Sequence, residues 1–343
     1  MDRKVPSSTQ NHPVGIILVN LGSPDAPTSV ALKRYLKEFL WDPRLVDVFR
    51  PLWWLILNGI ILNVRPRRSA RAYAKVWTAE GSPLIVISRR QAAALEAELR
   101  LNSDEVLHVA LGMRYGSPSI REALEELRQK GCSRLMLLPL YPQYSGATTA
   151  SAFDAVTKAL KAWGEVPKLV KVNDYHDNKN YINELAESVK EQWENGGEPD
   201  KLLMSFHGMP ERYIEAGGDP YRDQCEKTAG LLASKLGLAD GKWIITFQSR
   251  FGPQKWIKPY TDKTLKNLAS SGIKNVDVIC PGFSADCLET LEEIKIQNRN
   301  LFLEAGGERY RYIPALNDRP GFIRAIADVC IKRLQEAGWI KYH

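Results

Sequence analysis

Eight short apolar runs, separated by longer stretches with helical spacing, restrict this chain more than any other feature of its sequence. The runs are "VGIILVN", "EVLHVALG", "RLMLLPL", "PKLVKV", "KLLMSFH", "KWIITFQ", "NVDVICP" and "RYRYIPA". A strand that is apolar at nearly every position is covered on both faces, which in a soluble protein is the condition of a parallel sheet flanked by helices. Segments such as "SPSIREALEELRQKG" supply the helices, with serine where the first turn needs a cap and glycine after the last turn. The pattern predicts an α/β fold.

The two halves of the chain echo each other. "ILVNLGSP" (Ile17 to Pro24) matches "LMSFHGMP" (Leu203 to Pro210), "GMRYGSP" (Gly112 to Pro118) matches "QSRFGP" (Gln248 to Pro253), and "PLYPQYS" (Pro139 to Ser145) matches "ICPGFS" (Ile279 to Ser284). Three echoes in the same order predict a duplication: two similar Rossmann-like domains, each a four-stranded parallel sheet with helices. A length of 343 residues suits two domains of ordinary size. The junction is expected near "NDYHDNKN" (Asn173 to Asn180), where polar turn formers follow the fourth run. That gives an N-terminal tail over 1–13, a first domain over 14–174, a second over 175–320, and a C-terminal helix within 321–343 that packs back on the first domain. Ligands of open parallel sheets bind beyond the carboxyl ends of the strands. The echoed motifs sit at such ends, so they are expected to face one cleft.

A formal net charge of +7 favours an anionic partner: nucleic acid, lipid headgroups or an acidic small molecule. Nothing beyond that charge points to nucleic acid, and none is expected as a partner. Cys132, Cys225, Cys280, Cys287 and Cys330 form no C-x-x-C pair, so neither a disulfide framework nor a closed zinc site is indicated, and a reducing, cytoplasmic setting is expected. The opening "MDRKVPSSTQNHP" lacks the apolar centre of a secretion signal. The apolar segment "LWWLILNGIILNV" (Leu52 to Val64) would be roughly 20 Å long as a helix against the roughly 30 Å of a bilayer core, too short to span it. No G-x-G-x-x-G opens a helix after the first strand of either half, which argues against a dinucleotide-dependent oxidoreductase.

The echoes differ where chemistry would sit. Leu21 in the first copy stands opposite His207 in the second, and the polar "GATTAS" after Ser145 stands opposite the acidic "ADCLETLEE" after Ser284. A lone histidine at a strand end is either a satisfied core or turn residue, or an imidazole delivered to a ligand. Asp286, Glu289 and Glu293 follow i, i+3, i+7 spacing, one face of an α-helix that begins near Ser284. Facing solvent, these acids complement the helix dipole. Facing the cleft, they repel one another and need a proton or a cation between them. One imidazole with one carboxylate is an open site, suited to a metal in transit.

The motifs together resemble one family. "NLGSPDAPT", "RYLKEFLWDPRLV", "MRYGSPSI", "LPLYPQYSGATTAS", "SFHGMPERYI", "GDPYRDQC", "FQSRFGP", "PYTDKTL", "CPGFSADCLETLEEI" and "YIPALND" look like ferrochelatase of the bacterial protoporphyrin type, from about Val14 to Phe322. The resemblance implies insertion of Fe2+ into protoporphyrin IX, the terminal step of haem synthesis, in a cleft between the two domains. It makes His207 and Glu289 the catalytic and metal-binding pair, and Asp286 and Glu293 an acidic proton or metal path. Leu21, Tyr73, Arg114, Tyr115, Tyr141 and Trp256 become the porphyrin-binding positions. It implies a bent macrocycle, whose inward lone pairs are exposed as two N–H protons leave. It also places "NVRPRRSARAYAKVW" (Asn63 to Trp77) beside the pocket, where Arg67, Arg68 or Arg71 would steer propionates. Trp53 and Trp54 are then either ordinary core or part of a hydrophobic lip, around 47–77, that rests on the inner face of the cell membrane.

The chain also departs from parts of the family. Relatives with a [2Fe–2S] cluster hold it through a cysteine in the "YPQYS" loop and three near the C-terminus; here Gly146 fills the loop position and only Cys330 lies near the end, so no cluster and no tightly bound cofactor are expected. Others have a second histidine before the helix glutamate, where this chain has Cys287. Alternatives to the main reading are a chelatase for coproporphyrin III or cobalt, and a porphyrin or haem carrier without catalysis.

Overall fold

In the computed structural model, which describes residues 13–101, 105–163, 166–215, 217–252 and 254–341, Ile16 and Leu18 belong to one buried cluster and Ile17 and Val19 to another. Successive side chains of a strand point to opposite faces, so both faces of this strand are covered. Eight strands form at the eight apolar runs: β1 (Val14–Ser23), β2 (Leu107–Gly116), β3 (Arg134–Pro139), β4 (Lys168–Lys171), β5 (Lys201–His207), β6 (Trp243–Gln248), β7 (Asn275–Ile279) and β8 (Arg309–Ile313). They make two parallel sheets with the same order, β2-β1-β3-β4 and β6-β5-β7-β8. The expected tail lies outside the described residues apart from Pro13.

The echoed sequences are echoes of geometry. Gly22, next to last in β1, has φ +106°, and a Cβ there would lie 1.8 Å from the Tyr115 carbonyl oxygen on β2. A Cβ on Gly208, just past β5, would lie 2.6 Å from the carbonyl oxygen of Gln248 on β6. In both halves the end of the first strand runs so close to its neighbour that only glycine fits.

One apolar layer joins the two halves. Ile16 and Leu18 of β1, Met204 and Phe206 of β5, and residues of the helices Pro83–Leu101, Lys179–Glu194, Tyr221–Lys235 and Pro320–Glu336 form a single buried cluster. The last of these helices touches both sheets' surroundings: Arg333 Nε donates to the Lys171 carbonyl of β4 at 3.0 Å, and Arg319, its N-cap, pairs with Glu184 and Glu191. Buried Gln91, on the helix Pro83–Leu101, donates to the carbonyls of Ser284 and Asn317, each at 2.8 Å. That side chain fixes the loop after β7 against the first half.

Between the helices Ser29–Trp41 and Leu62–Val76 the chain forms the helix Arg50–Ile56 and a π-helical turn, Leu57–Ile61. Trp53 is buried, and its indole N–H donates to the Leu40 carbonyl at 2.8 Å. Its neighbour Trp54 is exposed, together with Phe49, Leu52, Leu55, Ile60 and Val64. No helix among the described residues is long and apolar enough to cross a membrane.

Candidate active site

In a sheet of order β6-β5-β7-β8, the connection from β5 runs to one side, to β6, and the connection from β7 to the other, to β8, so the switch point lies between the carboxyl ends of β5 and β7. His207 is the last residue of β5, and the segment after β7 leads to Glu289. The half-buried imidazole places Nδ1 2.7 Å from the carbonyl oxygen of Gly208. A carbonyl only accepts, so Nδ1 carries the proton and Nε2 is left with its lone pair. The Tyr221 hydroxyl donates to the His207 carbonyl at 3.0 Å, and the Phe283 ring lies 6.4 Å from the imidazole, which holds the residue from two further sides.

The acidic helix is not the α-helix that its spacing predicts. Residues Glu289–Asn298 form a ten-residue π-helix, and Asp286 precedes it. Runs of i→i+5 hydrogen bonds are rare and recur at functional sites. The end of β6 holds this helix in place. Gln248, paired in register with His207, donates from Nε2 to the Glu289 carbonyl at 3.2 Å and accepts from Ser205 Oγ at 2.8 Å. Ser249, at φ +64°, donates its N–H to Glu293 Oε1 at 2.8 Å and its hydroxyl to Oε2. A non-glycine residue in the left-handed region is strained, and here the turn aims two donors at one carboxylate. Burial raises the pKa of Glu293, the two Ser249 hydrogen bonds oppose the rise, and the nearby charges of His207 and Glu289 pull it in opposite directions. His207, Glu289 and Glu293 therefore share one electrostatic neighbourhood.

The first half supplies the opposite wall. Burial raises the pKa of the Tyr73 hydroxyl, and Glu289 raises it further. Burial lowers the pKa of Arg65 while Glu289 opposes that shift. Arg65 is the cleft arginine that sequence reasoning missed: Arg67, Arg68 and Arg71 are exposed, whereas Arg65 is half-buried with its guanidinium 5.3 Å from the Phe251 ring. A signal existed, because Leu62, Pro66, Ala70 and Tyr73 mark the buried side of the helix and Arg65 stands eight residues before Tyr73.

The remaining expected positions divide into two groups. Leu21 packs between the cluster around Tyr35 and the cluster of Leu84, Ala285 and Cys287. Trp256 is buried beside Phe251, with ring centres 5.0 Å apart, and donates its indole N–H to the Phe251 carbonyl at 3.0 Å. The buried hydroxyl of Tyr141 has no hydrogen-bond partner among the described residues. Two positions differ from expectation. Tyr115 is 1% exposed, set edge-on to Phe39, with its hydroxyl donating to Asp42 at 2.7 Å; this enclosure makes it support for its neighbour Arg114. Asp286 does not extend the acidic face, because its carboxylate accepts from Tyr312, Thr290 and Asn317 at 2.5, 2.9 and 2.9 Å and so anchors the entry to the π-helix.

Among the described residues one set of three potential ligand atoms, on Asp174, His176 and Asp177, lies within 4.8 Å, away from His207 and Glu289. Asp177 is already paired with Lys227, and His176 with Asp174, so these charges are engaged within the protein.

Comparisons with known proteins bear on the family and the fold. The family model described as Ferrochelatase matches residues 13–334. Ferrochelatase from Thioalkalivibrio sulfidiphilus is 56% identical over 326 residues, covering 95% of this chain and 88% of that protein. Ferrochelatase from Nitrosococcus oceani is 54% identical over 326 residues, with the same two coverages of 95% and 88%. Among solved structures, SirB from Bacillus subtilis with Fe3+ superposes with a TM-score of 0.56 over 96% of this chain and 100% of that one; at 13% identity the likeness shows the fold alone. With two parallel sheets of one order, a histidine and a π-helix at the switch point, and relatives more than half identical over nearly their whole length, this chain belongs to the ferrochelatase family.

Proposed function

We propose that this chain inserts Fe2+ into protoporphyrin IX with His207 as the base and Glu289 beside it on the route of the iron. Iron insertion into porphyrin, in haem synthesis, is the activity that family membership gives the chain. The assignment of residues rests on one observation: His207 and Glu289 both act on the half-buried Glu293, while the hydrogen bond from Nδ1 of His207 to the Gly208 carbonyl leaves Nε2 as the nitrogen turned to other partners. The reaction exchanges two pyrrole N–H protons for one Fe2+. Nε2 accepts a pyrrole proton, and an imidazole changes charge nearer neutral pH than any other ordinary side chain. Glu289 and Glu293, four residues apart on the π-helix, offer carboxylates to the incoming cation and to outgoing protons.

Leu21, Tyr73, Tyr141 and Trp256 are the aromatic and apolar surface for the macrocycle, and Arg65 and Arg114 are the cations for its carboxylates. Contacts with the rim of the ring can be applied to bending it, which exposes the nitrogen lone pairs to the metal. The substrate is apolar, and the exposed group Phe49, Leu52, Trp54, Leu55, Ile60 and Val64 supports peripheral contact with the inner face of the cell membrane. The described cysteines are all free, which fits the reducing cytoplasm. Iron and porphyrin are substrates here, and haem is the product.

The test is anaerobic incubation of the protein with protoporphyrin IX and ferrous iron while porphyrin fluorescence is followed. The wild type is expected to abolish the fluorescence, and His207→Ala to bind porphyrin yet leave it fluorescent. A His207→Ala protein that metallates porphyrin at the wild-type rate removes the proposed base.

A further inference from the structure

Asp42 closes the helix Ser29–Trp41, and its carboxylate is almost wholly buried. Oδ1 accepts the Arg44 N–H at 2.8 Å. Oδ2 collects three donors: Arg114 Nη2 at 2.5 Å, the Tyr115 hydroxyl at 2.7 Å and the Ser151 hydroxyl at 2.5 Å. Arg114 is held at a second point as well, because its Nε–H reaches Ser151 Oγ at 2.7 Å and the Ser151 carbonyl at 3.1 Å. Its guanidinium lies 4.4 Å from the centre of the Tyr115 ring. A guanidinium is a rigid planar fork, so fixing Nε and Nη2 fixes the direction of Nη1. Among the described residues none hydrogen-bonds Nη1.

This is more support than a fold-stabilising ion pair needs. A carboxylate this buried is costly unless every lone pair is used, and here the cost is met by donors brought from the end of β2 and from the start of the helix Ser151–Leu160. The result is one arginine with a single free N–H edge. Asp42 also offsets part of the Arg114 charge, so the arrangement gives up long-range attraction for a fixed donor. A donor held in place loses less conformational freedom on binding than a mobile side chain does.

We propose that Asp42 is a positioning residue for substrate carboxylate recognition: through Arg114, with Tyr115 and Ser151 as struts, it presents Nη1 to a carboxylate of the porphyrin. The proposal rests on the reading that Arg114 meets a porphyrin carboxylate. A purely structural role for Asp42 would weaken all porphyrins alike, whereas positioning of a carboxylate donor affects only substrates that carry carboxylates.

The experiment compares binding of protoporphyrin IX and of its dimethyl ester, by porphyrin fluorescence, to the full-length wild type and to Arg114→Ala, Asp42→Asn and the double variant. Loss of one charge-assisted hydrogen bond is expected to weaken the diacid about ten-fold in Arg114→Ala and in Asp42→Asn, with the ester unchanged. The double variant is expected to be no weaker than Arg114→Ala. A folded Asp42→Asn protein that keeps the wild-type preference for the diacid, or loses diacid and ester equally, overturns the proposal while Arg114→Ala still discriminates. Unchanged preference in Arg114→Ala overturns the Arg114 reading, and the proposal with it. If Asp42→Asn does not melt cooperatively, Ser151→Ala, which removes the shorter Nε contact and one donor to Asp42 while the carbonyl at 151 stays, takes its place with the same expected selectivity and the same contrary result.

Discussion

At the scale of single residues, the ends of β5 and β6 leave little freedom. Alanine at position 208 would bring a Cβ to 2.6 Å from the Gln248 carbonyl, so strand or turn must move, and with it the carbonyl that fixes the His207 tautomer. Gly208→Ala is expected to cost about 1–3 kcal/mol in denaturant unfolding and to slow iron insertion more than it weakens porphyrin binding. Asp42 carries a pH dependence. Burial pushes its pKa up, yet the hydroxyls of Ser151 and Tyr115, the Arg44 N–H and the Arg114 charge together hold it below the ordinary carboxylate value. The unfolded chain then binds the proton more tightly than the folded one, so this carboxylate stabilises the protein above the ordinary aspartate range and the contribution is lost as pH falls through the lowered value. Thermal melts of wild type and Asp42→Asn should differ most near neutral pH and converge on acidification; a constant difference would contradict that sign.

At the scale of elements, the π-helix depends on contacts outside its own sequence. Asp286 gathers Tyr312, Thr290 and Asn317 at its entry, and Gln248 takes the Glu289 carbonyl. Asp286→Ala takes the acceptor from Tyr312 and Asn317, leaving Thr290 only the Cys287 carbonyl, and is expected to cost about 3 kcal/mol or more in denaturant unfolding. This dependence explains what could be read beforehand. The strands were legible because two-sided burial writes itself as unbroken apolar runs, and the duplication because close approach at Gly22 and Gly208 demands the same residue twice. "ETLEEIKIQN" has nothing local to separate π from α winding, so its period, and the position of Asp286 outside it, come from tertiary hydrogen bonds. Likewise the arginines of "RPRRSAR" are alike in sequence, and only the buried side marked by Pro66, Ala70 and Tyr73 singles out Arg65. His207 is legible at its strand end, but its tautomer is set by the Gly208 carbonyl, a contact that no local pattern encodes.

At the scale of the whole molecule, the layer shared by β1 and β5 holds the two switch points in a fixed relation, while the exposed apolar turn projects from the first half alone. Trp54→Ser combined with Leu55→Ser should reduce cosedimentation with phospholipid vesicles and leave the melting temperature nearly unchanged, since both side chains are exposed. Undiminished vesicle binding would place the membrane contact elsewhere. His207 and Glu289, reached from the carboxyl ends of the adjacent parallel strands β5 and β7, are expected to act on a single macrocycle. The most direct test is anaerobic single-turnover iron insertion by wild type, His207→Ala, Glu289→Gln and the double variant, each preloaded with porphyrin. The predicted result is a loss of about 100-fold or more in each single variant, with the double variant no slower than the slower of the two. Strictly multiplicative losses, or a single variant that inserts iron at the wild-type rate, would show that the two groups do not act together at one site.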